Sequence, residues 1–269
     1  MRALLIASIA ILPVWLQGEW TRDWIERAAG GRTSTLDVHY LQTPSYFADI
    51  RIPKERPGLS GAKSFAELND DQLVLLATQN GLAGLTAVKD DVATWSDEIA
   101  FQPSDGSPDS GRLQQIPPGQ MHEIGLDGSY TESWRHLAGE KGPFLVVRVE
   151  HGSRLSKMLV VVGDRFVYVR NRAKDLPTAP SMRALIESTH ATREQIVGYL
   201  DCEFSTGRVR DWKIEQSTLP WREGRRLEFV DSLSSKGGLA LRVAGEDRWT
   251  VPVNTFAPHD VEDLLKPAR

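Results

Sequence analysis

Apolar and polar residues alternate with a period of two through most of the chain, in short runs separated by Gly, Pro, Asn and Asp. The clearest run is Leu41 to Pro53, LQTPSYFADIRIP. Pro44 fixes φ and pushes Thr43 to an extended conformation, so Gln42-Thr43-Pro44-Ser45 is a turn. Tyr46, Ala48, Ile50 and Ile52 then alternate with Phe47, Asp49 and Arg51. That pattern predicts a strand with one apolar and one mixed face. Asp49 and Arg51 share the mixed face and can pair. Pro53 ends the strand, because it has no N–H for the ladder.

The same reading places strands at Trp20 to Trp24, Ser34 to Gln42, Gly81 to Asp90, Val92 to Gln102, Arg112 to Ile116, Met121 to Leu126 and Ser129 to Leu137. Asp127-Gly128 is hairpin-turn chemistry. Trp95, Asp97, Ile99 and Phe101 read as one face. Further strands are expected at Phe144 to Val149, Met158 to Tyr168, Val197 to Phe204, Arg208 to Ser217 and Arg226 to Val230, with a last hairpin of Leu239 to Val243 and Trp249 to Val253. Met158 to Val162 lacks polar alternation, which predicts burial on both faces. Helices are fewer. Asn69-Asp70-Asp71-Gln72 fits a capping box ahead of buried Leu73, Leu76 and Ala77. Ser181 and Thr192 cap two short helical turns, and Pro258 to Leu265 forms a terminal helix.

Part of this pattern occurs twice. Phe166-Val167-Tyr168-Val169-Arg170 repeats Phe47-Ala48-Asp49-Ile50-Arg51 in shape, and Gly81, Trp95, Glu98 and Pro103 are matched at one constant spacing by Gly198, Trp212, Glu215 and Pro220. Repeats that share order as well as residues predict a tandem duplication. The expected organisation is an apolar extension over 1–17, a first β-barrel over 18–140, a second over 141–256 and a helical tail over 257–269. The boundary falls at Gly139 to Pro143. Short strands at regular spacing place the chain among all-β barrels and sandwiches.

Composition narrows the function classes. Net charge is −4 with no basic stripe, which argues against nucleic acid. Cys202 is the single cysteine, so an intramolecular disulfide and a cysteine-rich zinc site are excluded. The apolar run Ala3 to Leu12 is too short to span a bilayer. It resembles a short signal peptide with a poor cleavage site. The reading is a cytoplasmic protein, with export as the alternative.

Gly18-Glu19-Trp20 resembles the G-x-W opening of lipocalin-like, or calycin, barrels, whose Trp plugs the closed end. LQTPSYFADIRIP, QNGLAGLTAV, W-x₃-IAFQP, HEIG and SYTESW together resemble an uncharacterised bacterial family. That family is distantly similar to a fungal family named for binding a casein kinase I, through the GLAGLT segment, an acidic-aromatic strand, the E-x-G and ESW steps and MLVVVGDRF. The match runs in order from Gly18 to Arg225. It implies two lipocalin-like barrels side by side, each with a short helical insert. It brings no catalytic residues, and no motif here carries kinase binding.

Familiar catalytic signatures are absent. There is no G-x-S-x-G, Walker A or Rossmann glycine pattern, and His122-Glu123 stops short of H-E-x-x-H. Asp105 to Gly111 lacks the terminal Glu of a calcium loop. No metal and no cofactor are expected. The best constellation is Tyr130, Glu132, Trp134 and His136, which alternate onto one face of one strand. Turned into a barrel, they form an aromatic cavity with a carboxylate and an imidazole. Asp49 and Arg51 are the second candidates, equally readable as a structural ion pair. The expected function is binding of a small apolar or amphipathic ligand. The alternatives are an acid–base enzyme, such as an isomerase, cyclase or hydrolase, and an interaction module with filled barrels.

Overall fold

Nine antiparallel strands occupy the first half of the chain: β1 (Gly18–Arg27), β2 (Gly31–Thr33), β3 (Leu36–Gln42), β4 (Tyr46–Pro53), β5 (Asn80–Lys89), β6 (Val92–Ala100), β7 (Asp109–Ile116), β8 (Gln120–Gly125) and β9 (Tyr130–His136). β1 pairs with both β3 and β9, so eight of them close into a barrel and β2 only extends β1. Closure leaves the barrel no free edge. The structure is a computed structural model and describes residues 12–59, 61–137, 142–229, 242–244 and 247–265. The expected boundary at Gly139 to Lys141, the turn Gly245-Glu246 and the start of the apolar N-terminal run lie outside those residues.

The second half forms a seven-stranded antiparallel sheet from β10 (Phe144–His151), β11 (Arg154–Val162), β12 (Arg165–Arg170), β13 (Glu203–Arg208), β14 (Lys213–Ser217), β15 (Arg242–Ala244) and β16 (Asp247–Asn254). Its order is β14-β13-β12-β11-β10-β16-β15. Among the described residues the sheet ends at β14 and β15. The pairing order matches the barrel: β10 to β14 follow one another as β1, β3, β4, β5 and β6 do, and β16 pairs with β10 as β9 pairs with β1. Phe47 pairs with Gly84 in the barrel, and Phe166 pairs with Gly207 in the sheet. Each glycine sits at a register shift. A Cβ on Gly84 would lie 2.0 Å from the Ser96 carbonyl oxygen, and one on Gly207 would lie 1.9 Å from that of Lys213. Both bulges therefore require glycine for close backbone approach.

Among the described residues, four short helices with stated bounds connect or cap the sheets: α1 (Asp70–Leu76), α2 (Met182–Ser188), α3 (Arg193–Leu200) and α4 (Pro258–Leu265). Asn69 and Gln72 make the expected capping box on α1, Ser181 caps α2, and Thr192 with Gln195 makes a second box on α3. α1 and α2–α3 occupy the same place in their units, between β4 and β5 and between β12 and β13.

The two sheets share one core. Ala48, Ile50 and Ile52 on the outer face of β4 pack with Val146, Met158, Val160, Val167 and Val169 of the second sheet. Phe204 fills the space above Gly81, where a Cβ would come within 2.6 Å of its ring. Arg148 bonds Glu98 across the boundary, and Arg172 donates to the carbonyls of Ala100 and Phe101 at 2.7 and 2.6 Å.

Several expectations need correction. Trp95 points into the barrel while Ile99 and Phe101 join the shared core. The bulge opposite Gly84 inserts Glu98 and switches the face of every later residue. Met158 to Tyr168 is not one strand, because Gly163-Asp164 turns the chain between β11 and β12. Val197 to Leu200 belongs to α3, so Gly198 matches no strand glycine, and the structural counterpart of Gly84 is Gly207. Trp212 lies in a turn with φ +52 rather than in a strand, and Arg226 makes only a single bridge to Lys213. Among the described residues, no helix is long and apolar enough to cross a membrane.

Candidate functional site

The mixed faces of the barrel strands converge on an interior cavity of about 220 Å³. Along the strands the lining is aromatic and apolar at one level, with Tyr40, Phe47, Leu82, Trp95, Met121 and Trp134, and polar at the next, with Arg51, Asp109, Glu123, Tyr130 and Glu132: the pair Met121–Trp134 lies beside the pair Glu123–Glu132 on β8 and β9. Ile25 and the exposed Arg27 are also on the lining. Its volume lies below the usual range for drug-sized ligands, roughly 300–1,000 Å³.

Local structure closes one end. Val14–Leu16 forms a 3-10 turn, and Trp20 donates to the Leu16 carbonyl at 2.8 Å. Leu12, Leu16 and Trp20 are buried with the barrel's inner residues. Trp20 thus packs with the 3-10 turn at this end of the barrel. His136 packs against Trp20 with ring centroids 4.8 Å apart, and its Nε2 lies 3.2 Å from the Gln17 carbonyl.

Two ion pairs organise the polar level. Arg51 donates through Nε to Asp49 at 2.7 Å, while the other oxygen of Asp49 accepts from the Leu82 amide at 2.9 Å. Asp49 is fully buried. Glu132 is held by Arg22, both nearly buried. Glu123 stands directly opposite Glu132 across β8 and β9 and accepts from the Tyr130 hydroxyl at 2.8 Å. Burial first, and the Glu132 charge second, push its carboxyl well above the usual range, so Glu123 is protonated at neutral pH. Burial also lifts Asp109, outweighing the nearby Arg51. Asp109 makes no hydrogen bond or ion pair among the described residues.

The aromatic level is fixed by its own network. Trp95 Nε1 donates to the Tyr40 hydroxyl at 3.1 Å, Tyr40 donates to Gln42, and Thr86 donates to the same Gln42 oxygen at 2.8 Å. Trp134 is different: it is 3% exposed, and its Nε1 has no hydrogen-bond partner. Buried N–H groups are rarely left so.

The structure therefore brings together Tyr130, Glu132, Trp134 and Arg51 on the lining, with Asp49 behind Arg51, and places His136 apart at the plugged end. Glu123, Asp109 and Arg22 escaped the sequence reading. Glu123 was within reach of it: a two-residue hairpin at Asp127-Gly128 pairs position 123 with position 132. Asp109 was hidden because it follows a polar loop and reads as part of it. No cluster of three or more His, Cys, Asp or Glu that could hold a metal occurs among the described residues.

A depression of about 390 Å³ in the second half is lined by Tyr168, Arg170, Glu203, Trp221 and Arg222, among others. Glu203 bonds Arg222 at 3.2 Å and lies 3.7 Å from Arg170, so its charges are largely satisfied internally.

No protein-family model matches the chain, and no curated protein matches it. Among solved structures it is similar to the uncharacterised protein YLR301w of Saccharomyces cerevisiae. The identity is 10%, the TM-score 0.52, and 88% of this chain and 98% of that one are covered. An uncharacterised protein of Bacteroides eggerthii aligns at 10% identity over 45% of this chain and 98% of its own, with a TM-score of 0.27. The first likeness extends the fold to a fungal protein; the second carries no argument.

Proposed function

We propose that this chain is a small-molecule-binding protein whose ligand sits inside the first barrel. The observation that carries the reading is the interior cavity, lined by aromatic rings at one level and carboxylates at the next. An interior that is polar at one level and aromatic at the next suits an amphipathic ligand better than a purely apolar one. We read residues 18–140 as the binding unit and 141–256 as a lipocalin-like copy that supports it, the carboxylate of its own depression taken up by Arg222 and Arg170. Native mass spectrometry of the protein purified from its source tests this. A bound species of small-metabolite mass, lost when Met121→Trp fills the cavity, supports the proposal; identical spectra for the two proteins contradict it.

A second reading is favoured by Glu123. A carboxyl held protonated beside a tyrosine is suited to general acid work. On that reading Glu123→Gln abolishes turnover of a compound that still binds. Unchanged turnover removes Glu123 from any chemistry.

A further inference from the structure

We propose a second binding site, for a small organic carboxylate, in the depression of the second sheet, where Lys157 and Arg170 hold the carboxylate and the Tyr168 hydroxyl bonds to it. This site does not depend on the barrel reading above.

The shared strand order puts the depression where the barrel has its cavity. Phe166 matches Phe47 in register, and the same step along the strand leads to Arg170 in one unit and Arg51 in the other. Arg51 lines the barrel cavity, and Arg170 lines the depression. At about 390 Å³ the depression falls within the usual range for small-molecule sites, roughly 300–1,000 Å³.

The pairing of charges carries the argument. Lys157 of β11 stands directly opposite Arg170 of β12, on one face of the sheet. Like charges so placed repel and cost stability. Arg170 has Asp201 at 2.7 Å and Glu203 at 3.7 Å. Glu203 is also held by Arg222 at 3.2 Å and by the Ser205 hydroxyl at 2.8 Å, and Arg222 lies 3.5 Å from the exposed Glu228. Both lining carboxylates therefore already have an arginine. The Lys157 side chain makes no hydrogen bond or ion pair among the described residues, so it is left as the unmatched charge. A ligand of charge −1 completes the row; a cation adds to the repulsion.

A second observation points to the same ligand. Tyr168, the next residue on that face of β12, is only 5% exposed, and its hydroxyl makes no hydrogen bond among the described residues. Buried tyrosine hydroxyls usually have a partner. The Tyr168 ring packs on Phe229 at 5.0 Å, and the buried Leu219 and Leu227 also line the depression, which gives the body of the ligand an apolar surface.

Benzoate, benzamide and benzamidinium share one shape and differ in charge, and titration calorimetry on the full chain compares them. Benzoate is expected to bind at least tenfold more tightly than either. Lys157→Gln is expected to remove that preference, and Tyr168→Phe to weaken benzoate severalfold. Met121→Trp, which fills the barrel, is expected to leave benzoate binding unchanged. Benzoate that binds no tighter than benzamide overturns the proposal, as does a preference retained in Lys157→Gln or an unweakened Tyr168→Phe. Loss of benzoate binding in Met121→Trp also overturns it, because the anion then sits in the barrel. Absence of benzoate binding at millimolar concentration overturns it too, and leaves the barrel reading standing.

Discussion

The interior of the barrel and the far face of the second sheet occupy matching places in two similarly ordered sheets, yet their centres differ: polar side chains in the barrel, aromatic and apolar ones around Phe166 and Trp212 on the sheet. Asp49 is fully buried beside Arg51 in the barrel; the residue at the matching register of β12 is Tyr168. Where β3 carries Tyr40 and Gln42, β11 carries Leu159 and Val161. On the sheet, Phe166 packs on Trp212 at 5.2 Å, and Phe229 stacks on Trp249 at 5.3 Å, so aromatic rings take up the space. The strand layout and its bulges thus tolerate either interior. Buried polar groups cost free energy unless satisfied. A barrel that keeps carboxylates and an unpartnered indole N–H therefore carries features its stability does not require.

Truncating the matched aromatics separates the two interiors most strongly. Phe166→Ala is expected to cost about 4 kcal/mol, near the upper end for a large core truncation. Phe47→Ala borders space that is already open, and is expected to cost about 3 kcal/mol. Urea unfolding of both variants measures the difference; a costlier Phe47→Ala would mean that the barrel interior is the better packed of the two.

The bulge glycines ask whether the shared layout is real. Gly84→Ala and Gly207→Ala each drive a Cβ into a backbone carbonyl, and each is expected to lose about 2–3 kcal/mol. Similar losses fit equivalent positions. A loss at one site only would break the equivalence.

A smaller effect sharpens the electrostatic side. Glu123 is protonated in the folded barrel and has an ordinary carboxyl in the unfolded chain. Its contribution to stability is fully present below the unfolded value. It is lost as pH rises toward and through the raised folded value, because the folded state binds the extra proton over that window. The groups facing it are Glu132 and Tyr130 of β9, Asp109 of β7 and Arg51 of β4. Each unit of displacement amounts to ~1.4 kcal/mol. Glu123→Gln is expected to flatten the decline between acidic and mildly alkaline pH, measured by unfolding midpoints. An unaltered decline would place its source elsewhere.

Much of this was legible in the sequence. Strand alternation located the barrel strands, and the mixed face of Phe47, Asp49 and Arg51 pointed inward as alternation requires. The capping box at Asn69 marked a helix start to the residue, and Thr192 the start of another turn. Two kinds of information were missing. Bulges change parity without a local signal, so Ile99 and Phe101 were assigned the face of Trp95. Charge balance inside a barrel depends on which strands meet, and only closure brings Asp109 of β7 near Arg51 of β4. His136 shows the converse, since a strand can keep its alternation while its last residue leaves the cavity for the plugged end.

The central claim is that an uncharged amphipathic ligand enters the barrel and not the second sheet, and the indole N–H signals of a ¹⁵N-labelled protein test it most directly. On titration with the amphipathic probe 4-ethylphenol, the Trp134 and Trp95 signals are expected to move, while Trp212 and Trp249 stay in place. Movement of Trp212 or Trp249 with Trp134 unchanged, or no movement in any of the four, would contradict the account.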